Sequence, residues 1–280
     1  MTLGIFLAVL CAAVMHASWN AMVKSTPDKT AAMTAVTAGH APLALLSLPF
    51  VPAPAPESWP WLAVSVLCHL CYQLFLVLSY RLGDYTQVYP IARGSGPAIV
   101  MLVSVFVLGV SFTGFQTLAI VLICFGIFLL ALTRQINGLR NPRAVGAALI
   151  TGCFIAAYSM LDGLGARASG SVVGYIAWMT IINAAVFSLL IAMTNRPAFI
   201  TAYTKSWPVF IVGGSASVLA YVIVVWAMTK APIAVVTALR ETSTIFALLI
   251  GMVFLGEKIS IGKVAATIIA LSGVLLLRSG

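Results

Sequence analysis

Two arginines stand inside long apolar runs, where a guanidinium is costly. Arg93 follows Tyr89 and Pro90 in the run 85–108, and Arg240 precedes Glu241 in the run 232–255. At 1.5 Å per helical residue, Arg93 lies ~12 Å from the start of its run. An arginine at the bilayer centre costs ~2.5–3.5 kcal/mol, so two cost ~5–7 kcal/mol unless they face a polar interior. One chemistry that suits them is holding an anionic group, such as a carboxylate, in a central cavity. The other is structural: bonding helix-end carbonyls and pinning the fold, with Arg240 pairing locally with Glu241.

The neighbouring residues form stripes at helical spacing. Thr237, Arg240, Glu241 and Thr244 recur at i, i+3, i+4 and i+7, and Tyr89, Arg93 and Gly96 do the same. Pro90 and Pro97 each remove a backbone hydrogen bond to the carbonyl four residues back. A kinked span is therefore expected, with freed carbonyls facing the pathway. His16 and Asn20 sit one turn apart, as do Tyr158 and Asp162; His69, Tyr72, Gln73 and Tyr80 share a face. Mid-span Tyr72, Tyr89, Tyr158 and Tyr221 are candidates for a cavity wall. Trp59, Trp61 and Trp207 fall near run ends and read as interfacial anchors.

These residues need elements to hold them, and the composition says which. Of 280 residues 62% are hydrophobic and 8% charged, against about 25% charged in soluble domains. A helix needs ~20 apolar residues to cross the hydrocarbon region. Ten spans are predicted, at 3–22, 31–51, 59–80, 85–108, 113–133, 144–162, 171–193, 206–228, 232–255 and 260–277, joined by short loops. The expected fold is an all-α membrane protein.

The spans divide into two similar halves, 1–137 and 138–280. Adding 147 to a first-half number gives its second-half partner: Arg93 meets Arg240, Leu108-Gly109 meets Leu255-Gly256, and Gly126 meets Gly273. At an offset of 142, Cys11 meets Cys153, His16 meets Tyr158, and Asn20 meets Asp162. Five spans per half is an odd number, so the second half sits upside down relative to the first. An inverted repeat around a midplane site is the plan of many secondary transporters.

Charge and cysteines narrow the class further. The net charge of +9 comes from Lys and Arg scattered singly at span ends, which points to the positive-inside rule and away from nucleic acid. Ten basic residues fall on one side and three on the other, which puts both termini outside the cytoplasm. The five cysteines all lie in apolar runs, so no disulfide framework is expected. Cys68 and Cys71 have CxxC spacing but no second ligand pair, so no metal site is expected. Arg93-Gly94-Ser95-Gly96-Pro97 lacks the Lys-Ser/Thr of a Walker motif, and no nucleophilic triad is visible. The sequence therefore calls for no cofactor and no enzyme activity. Gly126, Ala266, Ala270 and Gly273 could pack against a second copy or within the chain, so monomer and homodimer both stay open.

Three segments carry a family resemblance. The stretch from His16 to Lys24, the stretch from Tyr89 to Pro97, and Leu239-Arg240-Glu241-Thr242-Ser243 resemble signatures of EamA-domain proteins, a branch of the drug/metabolite transporter superfamily. Leu255-Gly256-Glu257 is similar to that family's usual ending of span 9, although Val110 stands where the first half often has the corresponding Glu. The resemblance implies ten helices, a central cavity from spans 1–4 and 6–9, and peripheral spans 5 and 10. The residues it brings to the cavity are His16, Asn20, Tyr89, Arg93, Tyr158, Asp162, Arg240 and Glu241. Better-known members place their termini in the cytoplasm, the reverse of the charge count. The expected activity is export of small metabolites, amino acids foremost, from a bacterial cell across the inner membrane by alternating access. The partners are then the small-molecule substrate and the lipid bilayer. A multidrug cation/proton antiporter and a lipid-linked sugar flippase are the alternatives.

Overall fold

The chain starts at once into helix. Thr2 caps α1 (Leu3–Ser25), and the Asp28 carboxylate accepts the N–H groups of Thr30 and Ala31 to open α2 (Lys29–Ala38). Asp28 is a favoured N-cap because its short side chain satisfies helix-end donors. Lys29 Nζ donates back to the Thr26 and Val23 carbonyls at 2.6 and 3.3 Å, closing the tail of α1. In this computed structural model residues 1–83, 85–133, 141–255 and 260–279 are described. For some helix residues, Tyr89 and Pro90 among them, the description covers the backbone alone. The boundary expected between residues 137 and 138, and Gly256 and Glu257, lie outside the described residues.

The remaining helices are α3 (Ala41–Ser47), α4 (Trp59–Leu82), α5 (Tyr85–Phe106), α6 (Gly114–Thr133), α7 (Pro142–Ala168), α8 (Val172–Thr194), α9 (Arg196–Thr204), α10 (Gly214–Lys230), α11 (Ile233–Arg240), α12 (Ser243–Leu255) and α13 (Ile261–Ser279). Among the described residues, eight segments are long and apolar enough to cross a membrane, and the shorter apolar stretches Ile91–Phe106 and Gly114–Leu130 complete ten. The first half packs its spans onto the second: α4 and α5 on α7, α1 on α10 and α12, α2 and α3 on α8, and α6 on α13. Exchanging the halves maps α4 on α7 onto α10 on α1. The protein is thus two inverted five-helix repeats, interlocked rather than side by side.

Four features depart from ten uninterrupted rods. The second span breaks at Gly39-His40, between α2 and α3. The ninth, expected as one helix over 232–255, breaks at Glu241-Thr242. There Glu241 N bonds Ala238 O, Thr242 N bonds Leu239 O and Thr244 N bonds Glu241 O, a tightening to three-residue spacing. The Thr242 hydroxyl also donates to Leu239 O at 2.8 Å, so a side chain shares that backbone acceptor with the Thr242 N–H. Third, α9 occupies a connection expected to be a short loop, capped by Asn195 and packed on α2 and α8. The eighth span opens with a π-turn at Val209–Gly213 beside Pro208. The expected kink of the fourth span is not evident as a break: α5 stays helical through the buried Pro97.

Small residues do their work inside the chain. A Cβ on Gly126 would meet Ala270 N at 2.7 Å and Ala266 O at 2.8 Å; one on Gly273 would meet Ala119 O at 2.7 Å. These contacts are the α6–α13 seam, where backbones approach as small-residue membrane helices do. Gly126→Val is expected to destabilise the protein by about 1–3 kcal/mol, the usual cost of overpacking. A thermal melt of the purified protein in detergent checks it.

Candidate functional site

A cavity lies between the repeats, walled by α1, α2, α4, α7, α8 and α10. It holds about 600 Å³ of empty space, open mouth included. Its aromatic wall is Trp19, Tyr72, Tyr158 and Tyr221, and its polar groups include Thr37, His40, Gln73 and Asn183. No Lys, Arg, Asp or Glu lines it among the described residues. His16 and Trp19 are locked together: Trp19 Nε1 donates to His16 Nδ1 at 3.2 Å, with the rings edge-on. Tyr158 stacks on His69 with centroids 4.1 Å apart, and Tyr72 and Tyr221 meet Tyr158 edge-on at 5.4 and 6.1 Å.

Several cavity polar atoms are buried without a protein partner. Gln73 Nε2 donates to Thr37 Oγ1 at 3.1 Å, but Gln73 Oε1 is unpaired, as are Asn183 Oδ1 and both ring nitrogens of His40. Buried polar groups are normally hydrogen-bonded. Orphans brought to one cavity from three elements are what a polar ligand would satisfy.

Two buried ionic clusters flank the cavity. The first centres on Asp162, which is fully buried. Its Oδ2 lies 3.0 Å from His69 Nε2 and accepts the Tyr221 hydroxyl. Its Oδ1 accepts the hydroxyls of Ser65 and, at 3.2 Å, Tyr175. One carboxylate on α7 therefore ties in α4, α8 and α10. The second cluster is Arg93–Glu241–Arg240, with Arg93 Nε 2.8 Å from Glu241 Oε2 and Arg240 Nη2 3.3 Å from Oε1. Glu241 is fully buried and each arginine is 3% exposed. Arg240 brings its guanidinium carbon to 6.0 Å from the Tyr158 ring centroid, so the triad sits against a residue of the cavity wall without lining the cavity.

Of the residues singled out from sequence, His16, Tyr72, Gln73, Tyr158 and Tyr221 line the cavity. Asp162 stands just behind His69 and Tyr221. Arg93, Arg240 and Glu241 meet one another instead of the cavity space. Asn20 turns back on its own helix, donating to His16 O at 2.7 Å. The side chains of Tyr89 and Pro90 lie outside the described residues. Sequence reasoning passed over Thr37 and His40, and it gave Asn183 no role. The Gly39-His40 pair carried a signal, since a glycine before a polar residue within a span marks a close approach or break.

The chain matches the EamA-like transporter family twice, over residues 2–132 and again over 143–279. Among curated proteins no match was found. One solved crystal structure of a protein superposes with a TM-score of 0.77 at 15% identity, covering 99% of this chain and 96% of that one. At that identity the likeness shows the fold alone. The match over both repeats, on a fold with ten apolar segments among the described residues, makes this chain a member of the EamA-like transporter family of multi-pass membrane transporters.

Proposed function

We propose that the protein exports small metabolites, amino acids foremost, across the bacterial inner membrane by alternating access. The observation that carries this reading is a cavity between inverted repeats that is walled by rings and orphaned amide and imidazole groups, with no formal charge. A zwitterion carries no net charge, offers donors and acceptors at one end, and puts an apolar body against aromatic rings. A lipophilic cation would want a carboxylate on the wall, whereas Asp162 is recessed and already accepts four bonds. The helix breaks at Gly39-His40 and Glu241-Thr242 are one in each repeat and give each half a place to flex. Arg93, Arg240 and Glu241 act in this reading as a lock holding α5 to the α11–α12 break. Substrate touches Tyr72, Gln73, Tyr158 and Asn183.

Binding tests this before transport does. A ligand at 100 times its Kd stabilises the folded protein by about 2.7 kcal/mol. Thermal melts against a panel of amino acids, their amides and a lipophilic cation should show stabilisation by amino acids. Stabilisation by the cation alone would overturn the reading. Asn183→Leu removes an unpaired amide oxygen, so it should leave the unliganded melting temperature nearly unchanged. The same change should weaken the best amino acid by about 1–3 kcal/mol, roughly 5- to 150-fold, if that ligand uses the amide.

A further inference from the structure

Export needs a driving force, and the spans hold two described carboxylates that could take a proton, Glu241 and Asp162. Neutralising Glu241 would remove the anion that Arg93 and Arg240 both pair with in a buried site. Neutralising Asp162 strands no cation, because its four partners are three hydroxyls and an imidazole.

We propose that Asp162 with His69 is a proton-binding site reached from the cavity, and that its protonation loosens α7 from its neighbours and couples proton entry to export. This deepens the transporter reading above and rests on it for the coupling, though not for the proton site. His69 and Tyr221 both line the cavity and both touch Asp162 Oδ2, so they join cavity water to a carboxylate that has no exposed surface of its own. The step balances as a relay. A proton bonds to His69 Nδ1, the Nε2–H bond breaks, and that hydrogen bonds to Asp162 Oδ2. His69 ends neutral in its other tautomer and Asp162 ends as a carboxylic acid.

An ionised carboxylate only accepts, whereas a protonated one must also donate. Once Oδ2 carries hydrogen it donates to His69 Nε2. Tyr221, which bonds Oδ2 and also lies 3.5 Å from His69 Nε2, is then left donating to a carboxylic-acid hydroxyl oxygen, a weaker acceptor than a carboxylate, which slackens the tie of α10 to α7. Other titratable and charged groups stand around the pair. Tyr158 on α7 stacks on His69, Tyr175 comes from α8, and Cys68 is the neighbour of His69 on α4. His16 on α1 and His40 before α3 line the same cavity. Glu57 is exposed on the 56–58 turn that packs on α7. Arg167 on α7 is held by the Met228 and Ala231 carbonyls, and Arg93 and Arg240 are held by Glu241. At the repeat-related position in α1 stands Asn20, which cannot titrate.

Infrared difference spectra of the full-length protein in lipid, recorded as pH is lowered with no substrate present, test the site. A protonated-carboxyl band that shifts in D₂O should appear in the wild type and vanish in Asp162→Asn. Should Asp162→Asn not fold, Tyr221→Phe and His69→Asn must each move the band's titration midpoint. Absence of a titrating carboxyl band, its survival in Asp162→Asn, or an unmoved midpoint in both other variants overturns the proposal. If an amino acid of the panel is transported, an imposed pH gradient should accelerate the wild type but not Asp162→Asn. Equal acceleration of both overturns the coupling, and failure of every amino acid leaves the infrared result to decide the proton site.

Discussion

Glu241→Gln is expected to be the most damaging single change at the ionic core, worse than the loss of either arginine. Glu241 is an anion shared by two buried guanidiniums, 2.8 Å from Arg93 and 3.3 Å from Arg240. Counting formal charges, the triad carries +1. Glu241→Gln raises that to +2, whereas Arg93→Gln or Arg240→Gln lowers it to zero and leaves one intact pair. Removing one partner of a buried pair costs about 3–5 kcal/mol because the survivor keeps its desolvation penalty. The glutamine variant takes this anion from two buried cations at once, so its loss should reach at least the top of that range. Such a loss is a large fraction of the 5–15 kcal/mol that holds a typical fold. Folded yield by size exclusion and melting temperature should rank wild type first, the two arginine variants next and Glu241→Gln last. Because the arginines face Glu241 and not the cavity, Arg93→Gln should also weaken acids and their amides alike. A selective loss of acids would mean that a substrate carboxylate reaches Arg93 after all.

Gly214→Val should be comparably severe for a different reason. A Cβ at Gly214 would stand 2.6 Å from the Cα and carbonyl carbon of Gly39, and one at Gly39 would stand 2.0 Å from Phe210 O. The obstacles are backbone atoms, which have no rotamer in which to retreat. Ordinary overpacking costs about 1–3 kcal/mol, and a clash of backbone on backbone should exceed it. The crossing joins α2 to the start of α10 just before His40, so the cavity wall moves with it. Gly146 is the control. Nothing lies within 4 Å of a Cβ built there, and alanine in a helix interior gains about 0.5–1 kcal/mol over glycine. Melting temperatures should therefore fall sharply for Gly214→Val and hold or rise for Gly146→Ala.

What the sequence disclosed follows from which forces are local. Apolar runs of bilayer length, and the Arg93–Arg240 correspondence at a fixed offset, needed only periodicity and counting, and the inverted architecture followed. Arg240 and Glu241 are neighbours in the chain, so their pairing was legible. The Arg93–Glu241 contact was not, because it joins two repeats. The Asp162 cluster was hidden likewise: His69 is 93 residues away in sequence and Tyr221 59. The stripe drawn through Thr237, Arg240, Glu241 and Thr244 assumed one helix. The break at Glu241-Thr242 interrupts it, and the Thr-Ser-Thr run was the overlooked warning. Gly39 before His40 hinted at a break within the span, but what it meets, Phe210 and Gly214, is a packing fact that only the folded chain discloses. The amphipathic α9 was missed because nine residues between two spans look like a loop until Ala198 and Ala202 are seen buried.

The most direct test of a zwitterion-sized transport cavity is counterflow of labelled amino acids into proteoliposomes, beside a labelled lipophilic cation and protein-free vesicles. Saturable uptake of at least one amino acid, without cation movement and reduced in Asn183→Leu, is the expected result. Cation movement with no amino-acid uptake would contradict it and turn attention to Asp162 as a cation's partner.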